Sequence, residues 1–345
     1  MLFASDNWAG AAPEVLKAVV DANEGGAPSY GGDPWTERAN AALSAVFERD
    51  VAAFFVGTGG AANGLALSVL APPYGMIACH EAAHVQMDEC AGPAFFTGGA
   101  KLLPVAGANG KLTPASLEAA IGGFPDRPPH SSPFAALTLT QGTEFGTVYQ
   151  PTEVVALCNV ARRAGMKTHM DGARFANAIA ALGCAPADVT WRAGVDVLSF
   201  GGTKNGCLAA EAVIFFNPDD VKDFEYRRKR AGQLFSKSRF LAAQFVAYLN
   251  DGLWLRLAAR ANAAAKRLSD GLSGIDGCKI WASTQMNEVF ASFPSETEER
   301  LKAAGAAFYP WITPGDPAGG RMRRLICSFA TTEEEVNQLL AVARG

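Results

Sequence analysis

Short apolar runs alternate along this chain with longer segments that carry apolar residues at helical spacing. Residues 13–23 and 35–48 read as helices on either side of a Gly/Pro-rich loop, Gly25-Gly26-Ala27-Pro28-Ser29-Tyr30-Gly31-Gly32-Asp33-Pro34. Ala52-Ala53-Phe54-Phe55-Val56 is a short apolar strand that runs into Gly57-Thr58-Gly59-Gly60-Ala61-Ala62-Asn63 and a helix through Leu70. Further strands are expected at 76–79, 101–105, 135–140, 167–170, 195–200 and 212–216, and helices at 82–90, 114–121, 152–164 and 240–272. Such alternation predicts an α/β fold, a mostly parallel sheet with helices on both faces. After the long helical stretch come strands at 279–280, 288–293, 307–309 and 325–329 and helices at 295–304 and 332–343, which predict a small C-terminal α+β domain. The expected division is 1–245 for the large domain with its N-terminal segment and 246–345 for the small one.

Composition narrows the class without changing this picture. The 345 residues are 49% hydrophobic and 19% charged, with a net charge of −4. Lys and Arg are scattered, so no nucleic-acid footprint is expected. No apolar run is long enough to span a bilayer, and the N-terminal residues lack the pattern of a signal peptide. Seven cysteines, mostly in apolar context, read as reduced, buried thiols of a cytoplasmic protein. Cys79 and Cys207 lie near candidate site residues but read as packing residues.

The chemistry sits where strands end. Lys204 follows the strand-like run Val197-Leu198-Ser199-Phe200-Gly201-Gly202-Thr203, and Asp171 ends the run Lys167-Thr168-His169-Met170. A lysine and a carboxylate at one sheet edge are what pyridoxal 5'-phosphate requires: the amine forms a Schiff base, and the carboxylate keeps the pyridine nitrogen protonated so the ring accepts electrons. About thirty residues, the length of one strand–helix–strand step, separate the two, so both can reach the same edge. The loop Gly57-Thr58-Gly59-Gly60 opens a helix and suits either a phosphate or a plain tight turn. His80-Glu81-Ala82-Ala83-His84 is a literal H-E-x-x-H, the zinc-hydrolase pattern when one helix carries it, with Glu89 a conceivable further ligand. His80 directly follows a strand-like run, which argues against metal, and His84 suits stacking on a cofactor ring and relaying a proton. Asp171-Gly172 could be only a turn, but Arg174 nearby offers charge-assisted hydrogen bonds to a substrate carboxylate or cofactor oxygen. Of Arg321, Arg323 and Arg324, one can aim at a carboxylate. Arg227, Arg228, Lys229 and Arg230 read as a solvated face or a phosphate contact.

On these residues the chain resembles the low-specificity threonine aldolases, pyridoxal-phosphate lyases of the aspartate-aminotransferase-like fold. The likeness is densest at Ser5-Asp6, Tyr30-Gly31-Gly32-Asp33-Pro34, Thr58-Gly59, His84, His169-Met170-Asp171-Gly172-Ala173-Arg174, Thr203-Lys204 and Arg324-Leu325. It implies that Lys204 carries the cofactor, Asp171 partners the ring nitrogen, His84 stacks on the ring, and Thr58, Gly59 and Gly60 hold the phosphate, with Thr203 beside the lysine. It further implies that Ser5, Arg174 and Arg324 bind the substrate carboxylate, that Tyr30 and Lys229 lie near the phosphate across a subunit interface, and that the enzyme is a homotetramer built as a dimer of dimers. Two positions depart from the family: Gly60 stands where many members carry a hydroxyl residue, and Glu144 where well-known members carry a histidine. Glu144 could still accept a proton from the substrate hydroxyl. The expected reaction is retro-aldol cleavage of a β-hydroxy-α-amino acid, of threonine, allo-threonine or phenylserine type, to glycine and an aldehyde. β-Elimination or transamination on the same cofactor is the near alternative and a zinc hydrolase the distant one.

Overall fold

A computed structural model describes residues 1–221, 223–314 and 318–345. In chain order it contains α1 (Pro13–Asp21), α2 (Pro34–Val46), β1 (Ala52–Val56), α3 (Gly59–Leu70), β2 (Met76–His80), α4 (His84–Met87), α5 (Gly92–Thr97), β3 (Lys101–Val105), α6 (Pro114–Gly122), β4 (Phe134–Thr140), α7 (Pro151–Arg163), β5 (Lys167–Gly172), α8 (Phe175–Leu182), β6 (Val197–Gly201) and β7 (Glu211–Phe215). There follow α9 (Phe224–Arg230), α10 (Arg239–Leu249), α11 (Leu253–Ser273), β8 (Lys279–Ile280), β9 (Glu288–Ser292), α12 (Ser295–Ala303), β10 (Tyr309–Pro310), β11 (Arg323–Ile326) and α13 (Glu333–Arg344).

The first seven strands form one sheet in the order β1-β7-β6-β5-β4-β2-β3. Its internal strands are buried on both faces, which is why they read as unbroken apolar runs. Only β7 runs against the others; it pairs with β1 on one side and β6 on the other. The remaining four strands make an antiparallel sheet, β10-β11-β9-β8. This is the expected mostly parallel α/β unit with a smaller α+β unit behind it.

Two helices depart from expectation. The continuous helix expected over 240–272 is two helices, broken at Asn250-Asp251-Gly252, where Asp251 (φ 48°) and Gly252 (φ 66°) take left-handed backbone. The glycine adopts that conformation without steric penalty, and a short Asn-Asp-Gly run is turn chemistry inside an otherwise apolar periodicity. The helix expected over 82–90 shrinks to one turn, because Cys90 and Ala91 are left-handed and a new helix starts at Gly92. Helices α8 and α9 lie outside the segments expected to be helical.

Packing explains how the site is held. Phe47, Phe175, Phe200, Phe245, Tyr248 and Trp254 interlock edge to face beneath the end of β6. Such pairs contribute about 0.5–1.5 kcal/mol each beyond their burial. Helix α3 is buried over Ala61–Ser68 and lies under the sheet's active edge. A Cβ at Gly64 would collide with the Phe96 ring of α5, so only glycine permits that approach. A second core, with Leu268, Leu272, Val289, Leu325 and Leu339, belongs to the C-terminal sheet. Phe3 joins it, held by hydrogen bonds between its backbone and Ala307 and Ile326. The N-terminal residues are thus stitched to the small sheet, which brings Ser5 to the cleft.

Candidate active site

Lys204 lies on a tight turn after β6. The turn is pinned from below, since Asn205 Nδ2 donates to Tyr248 Oη and to the Trp254 carbonyl, both at 2.8 Å. One strand over, Asp171 is at the end of β5, in register with Ser199. Its carboxylate is buried and fully engaged: Oδ2 accepts from Asn63 Nδ2 at 2.8 Å and Oδ1 from the Ala173 amide at 3.0 Å.

Across the cleft, β1 delivers Gly57-Thr58-Gly59-Gly60 to the start of α3. Thr58 caps the helix, its hydroxyl accepting from the Ala61 amide at 3.3 Å. Gly57 donates to Gln233 Oε1 at 3.0 Å and lies against Phe235. A Cβ built on Gly59 meets nothing within 4 Å, so the backbone there opens onto free space. First-turn amides have no intrahelical acceptor, and together with the helix dipole they make a cradle for an anion.

His84 begins α4. Its ring Nδ1 lies 2.9 Å from Glu89 Oε1, and its backbone amide donates to Glu144 Oε1 at 2.7 Å. The Glu89 hydrogen bond, opposed by burial and helped by Asp171, raises the imidazole above its ordinary value. Glu144 also accepts from Thr140 Oγ1 at 2.9 Å, while its Oε2 is buried with no partner among the described residues. Burial pushes this carboxyl up to about 7. Glu211, at the start of β7 between Val56 and Gly201, is likewise pushed by burial to about 7, against the pull of Thr203, Lys204 and nearby amides.

The arginines divide. Arg174 grips Asp6 with two hydrogen bonds, Nε to Oδ2 at 2.8 Å and Nη2 to Oδ1 at 3.1 Å, and its Nη1 is 3.4 Å from Glu288. Burial alone would raise Asp6, but Arg174 and Lys204 hold it low. Arg324 instead stacks on Trp311, 4.1 Å from the ring centre, with its Nε buried and unpartnered among the described residues.

These groups enclose a cavity of about 450 Å³ lined by Ser5, Thr58, Gly59, Gly60, His84, Glu144, Asp171, Arg174, Thr203, Lys204 and Arg324. Tyr30 and Lys229 are outside it, with Lys229 Nζ 5.0 Å from the Tyr30 ring centre at the surface. The H-E-x-x-H residues do not share a helix. His80 ends β2, its Nδ1 accepts from the Ala82 amide at 3.0 Å and its Nε2 is 2.8 Å from the Gly107 carbonyl. Both ring nitrogens are thus spent on backbone. His84, Glu89 and Asp171 do converge within 4.8 Å, but an Asn63 amide proton already points at each carboxylate.

Sequence reasoning missed Asn63, Glu89, Glu211 and Trp311 as site residues of this cofactor; Glu211 and Trp311 reach the site through long-range packing, whereas Glu89 is a near neighbour of His84 and Asn63 follows the glycine loop. Asn63 carried the one available signal, a lone amide inside the alanine-rich helix after the glycine loop.

An open glycine cradle, a lysine amine, an engaged buried carboxylate and an unspent arginine around one cavity fit pyridoxal 5'-phosphate with an amino acid. Comparison with known proteins agrees. The pattern of the beta-eliminating lyase family matches residues 3–294. Two low-specificity L-threonine aldolases are each 45% identical. That of Pseudomonas sp. (strain NCIMB 10558) aligns over 99% of this chain and 97% of its own length, and that of Pseudomonas aeruginosa over 98% and 95%. The solved threonine aldolase of Leishmania major superposes with a TM-score of 0.91 at 25% identity, covering 99% of this chain and 98% of that one. A serine palmitoyltransferase from Sphingomonas wittichii shares the fold (TM-score 0.71, 18% identity, 100% of this chain and 86% of that one). The chain therefore belongs to the family of the beta-eliminating lyases, a family of enzymes that share this fold and site. Within it, the chain belongs to the threonine aldolase family.

Proposed function

We propose that this protein cleaves β-hydroxy-α-amino acids of the threonine and allo-threonine type to glycine and an aldehyde, using pyridoxal 5'-phosphate on Lys204. The observation that carries the reading is the opposition of Lys204 and the engaged Asp171 across one cavity that also holds an unspent arginine and a half-satisfied glutamate. When bound, the cofactor supplies a sink for the electron pair released at the substrate Cα.

The chain's residues do the rest. The Thr58–Gly60 amides, with Thr203 beside them, bind the phosphate. With the cofactor bound, Asp171 would partner its ring nitrogen, Asn63 holding Asp171 in place, and His84 would supply the stacking face. Arg324, with Ser5, takes the substrate carboxylate; Arg174, already neutralised by Asp6, orients the N-terminal segment that carries Ser5. Fixing the carboxylate would orient the substrate's scissile bond for cleavage. Glu144 is the group suited to remove the β-hydroxyl proton: one oxygen is tied to His84 and Thr140, the other is unspent, and burial places its ionisation near neutrality. Glu144 thus takes over the work expected of a histidine at that position.

Tyr30 and Lys229, paired on the surface outside the cavity, are the residues through which a neighbouring subunit of a tetramer would complete the phosphate site. All seven cysteines are unpaired, which supports a reduced cytoplasmic setting. Among the described residues no helix is long and apolar enough to cross a membrane.

Product analysis tests the reading. Holoenzyme given L-threonine or L-allo-threonine should release acetaldehyde and glycine in equal amounts. Ammonia with a keto acid from the same substrates would establish β-elimination, and amino transfer to a keto acid would establish an aminotransferase.

A further inference from the structure

Glu89 is buried beside the cavity floor, its side chain 3% exposed, and the chemistry proposed above makes no use of it. The Asn63 amide group bridges two acids, with Nδ2 2.8 Å from Glu89 Oε1 and 2.8 Å from Asp171 Oδ2. The same Glu89 oxygen is 2.9 Å from His84 Nδ1. Glu89 is walled by Gly60 and Gly92, whose Cβ positions would fall 3.9 and 3.6 Å from it. Its Oε2 and Asn63 Oδ1 are buried without partners among the described residues. A buried polar atom left without a partner is costly. Two such costs accepted side by side, next to reactive groups, mark an arrangement held for function.

We infer that Glu89 is a positioning residue: anchored by Asn63, it holds the His84 ring through Nδ1 and keeps that ring a proton donor. An Asn63 proton and the Nδ1 proton converge on Glu89 Oε1, so Nδ1 carries hydrogen and Nε2 is the nitrogen presented to the cavity. A ring whose cationic form is favoured is a poor acceptor for the substrate hydroxyl proton, which leaves that task to Glu144. The groups facing His84 are Glu89 and Asp88 beyond its own helical turn, Asp171 from β5, Glu144 from the loop after β4, and Lys204 from the turn after β6. Glu89 makes the largest contribution, Asp171 works with it and Lys204 against it. The accidental H-E-x-x-H therefore hides a different pairing, His84 with Glu89.

This inference rests on the reading that His84 lies against the bound ring, but its test does not depend on the product formed. The chain has only four histidines, so ¹³C-labelled histidine in the holoenzyme gives a tractable NMR titration. The signal lost in His84→Asn should titrate above the ordinary range in the unaltered protein, and at lower pH in Glu89→Gln. Glu89→Asp, which withdraws the carboxylate by one methylene, should fall between and keeps the test open should the amide variant misfold. In Glu89→Gln the cofactor's visible absorption should persist, KM should change little, and kcat should drop by up to about 10²-fold, as for a misplaced catalytic group. An unmoved His84 titration, or unchanged kcat, would overturn the inference. A moved titration in an enzyme that makes no aldehyde would leave it standing and remove the functional reading instead.

Discussion

Asp171 and Glu144 are the same functional group in one cavity, and their surroundings give them opposite tasks. Asp171 has a donor on each oxygen and lies on the last residues of a central strand. Glu144 lies in the loop after β4 with both donors on one oxygen and none on the other, and burial lifts it to about 7. A carboxylate with a donor on each oxygen is suited to hold a fixed partner; one half satisfied and lifted by burial to about 7 is suited to exchange protons near neutral pH. Both groups are buried, and what differs is where their donors fall: one on each oxygen of Asp171, both on a single oxygen of Glu144.

The most severe way to break the contrast is Asp171→Asn. The amide keeps the shape but cannot hold a proton on a ring nitrogen by charge, so turnover should fall by orders of magnitude and cofactor affinity should weaken; cofactor titration with steady-state assays measures both. Glu144→Gln comes next. A general base contributes about 10²–10⁴-fold, so cleavage of threonine should slow by that order while glycine, which has no hydroxyl, still binds. The pH profile carries the sign. Only ionised Glu144 accepts a proton, so kcat/KM should fall as pH drops through about 7, and that limb should vanish in the Gln variant.

Stability should move the other way. Glu144 titrates near 4.5 when unfolded and near 7 when folded, so the native state binds the extra proton between those values and loses stability as pH rises through them. Glu144→Gln should therefore raise the melting temperature relative to the unaltered protein more at pH 8 than at pH 5, by calorimetry. The smallest effect is that of Thr140→Val. It removes one donor from Glu144 without touching the substrate, so the acid limb should shift to higher pH with the plateau nearly kept.

Much of this site is legible in the amino-acid sequence. Lys204, Asp171 and the glycine loop stand where apolar runs stop, and a run that stops on a reactive residue marks a strand end. The partners that tune them are not legible, because they come from far along the chain. Asn63 is 108 positions from Asp171, and Asp6 is 168 from the Arg174 it neutralises. Arg174 lines the cavity as expected of a carboxylate ligand, and its pairing with Asp6 is what the sequence does not reveal. The segment 240–272 reads as one helix because apolar periodicity outweighs three residues of turn chemistry. Residues 82–90 read as one helix because left-handed backbone at Cys90 and Ala91 leaves no compositional trace.

The reversed strand β7 has a consequence for how the protein is made. Strand β1, which delivers the anion cradle, hydrogen-bonds among the described residues to no strand but β7, and Val56 pairs with Glu211. On the ribosome β1 emerges early, and its only partner appears after five further strands of the same sheet. Until then Phe54 and Phe55 belong to an unpaired apolar edge, the kind of segment that chaperones bind and that seeds aggregation. The anion cradle thus emerges early and waits for β7, and a fragment ending before Glu211 would display the cradle's residues with no paired strand beside β1.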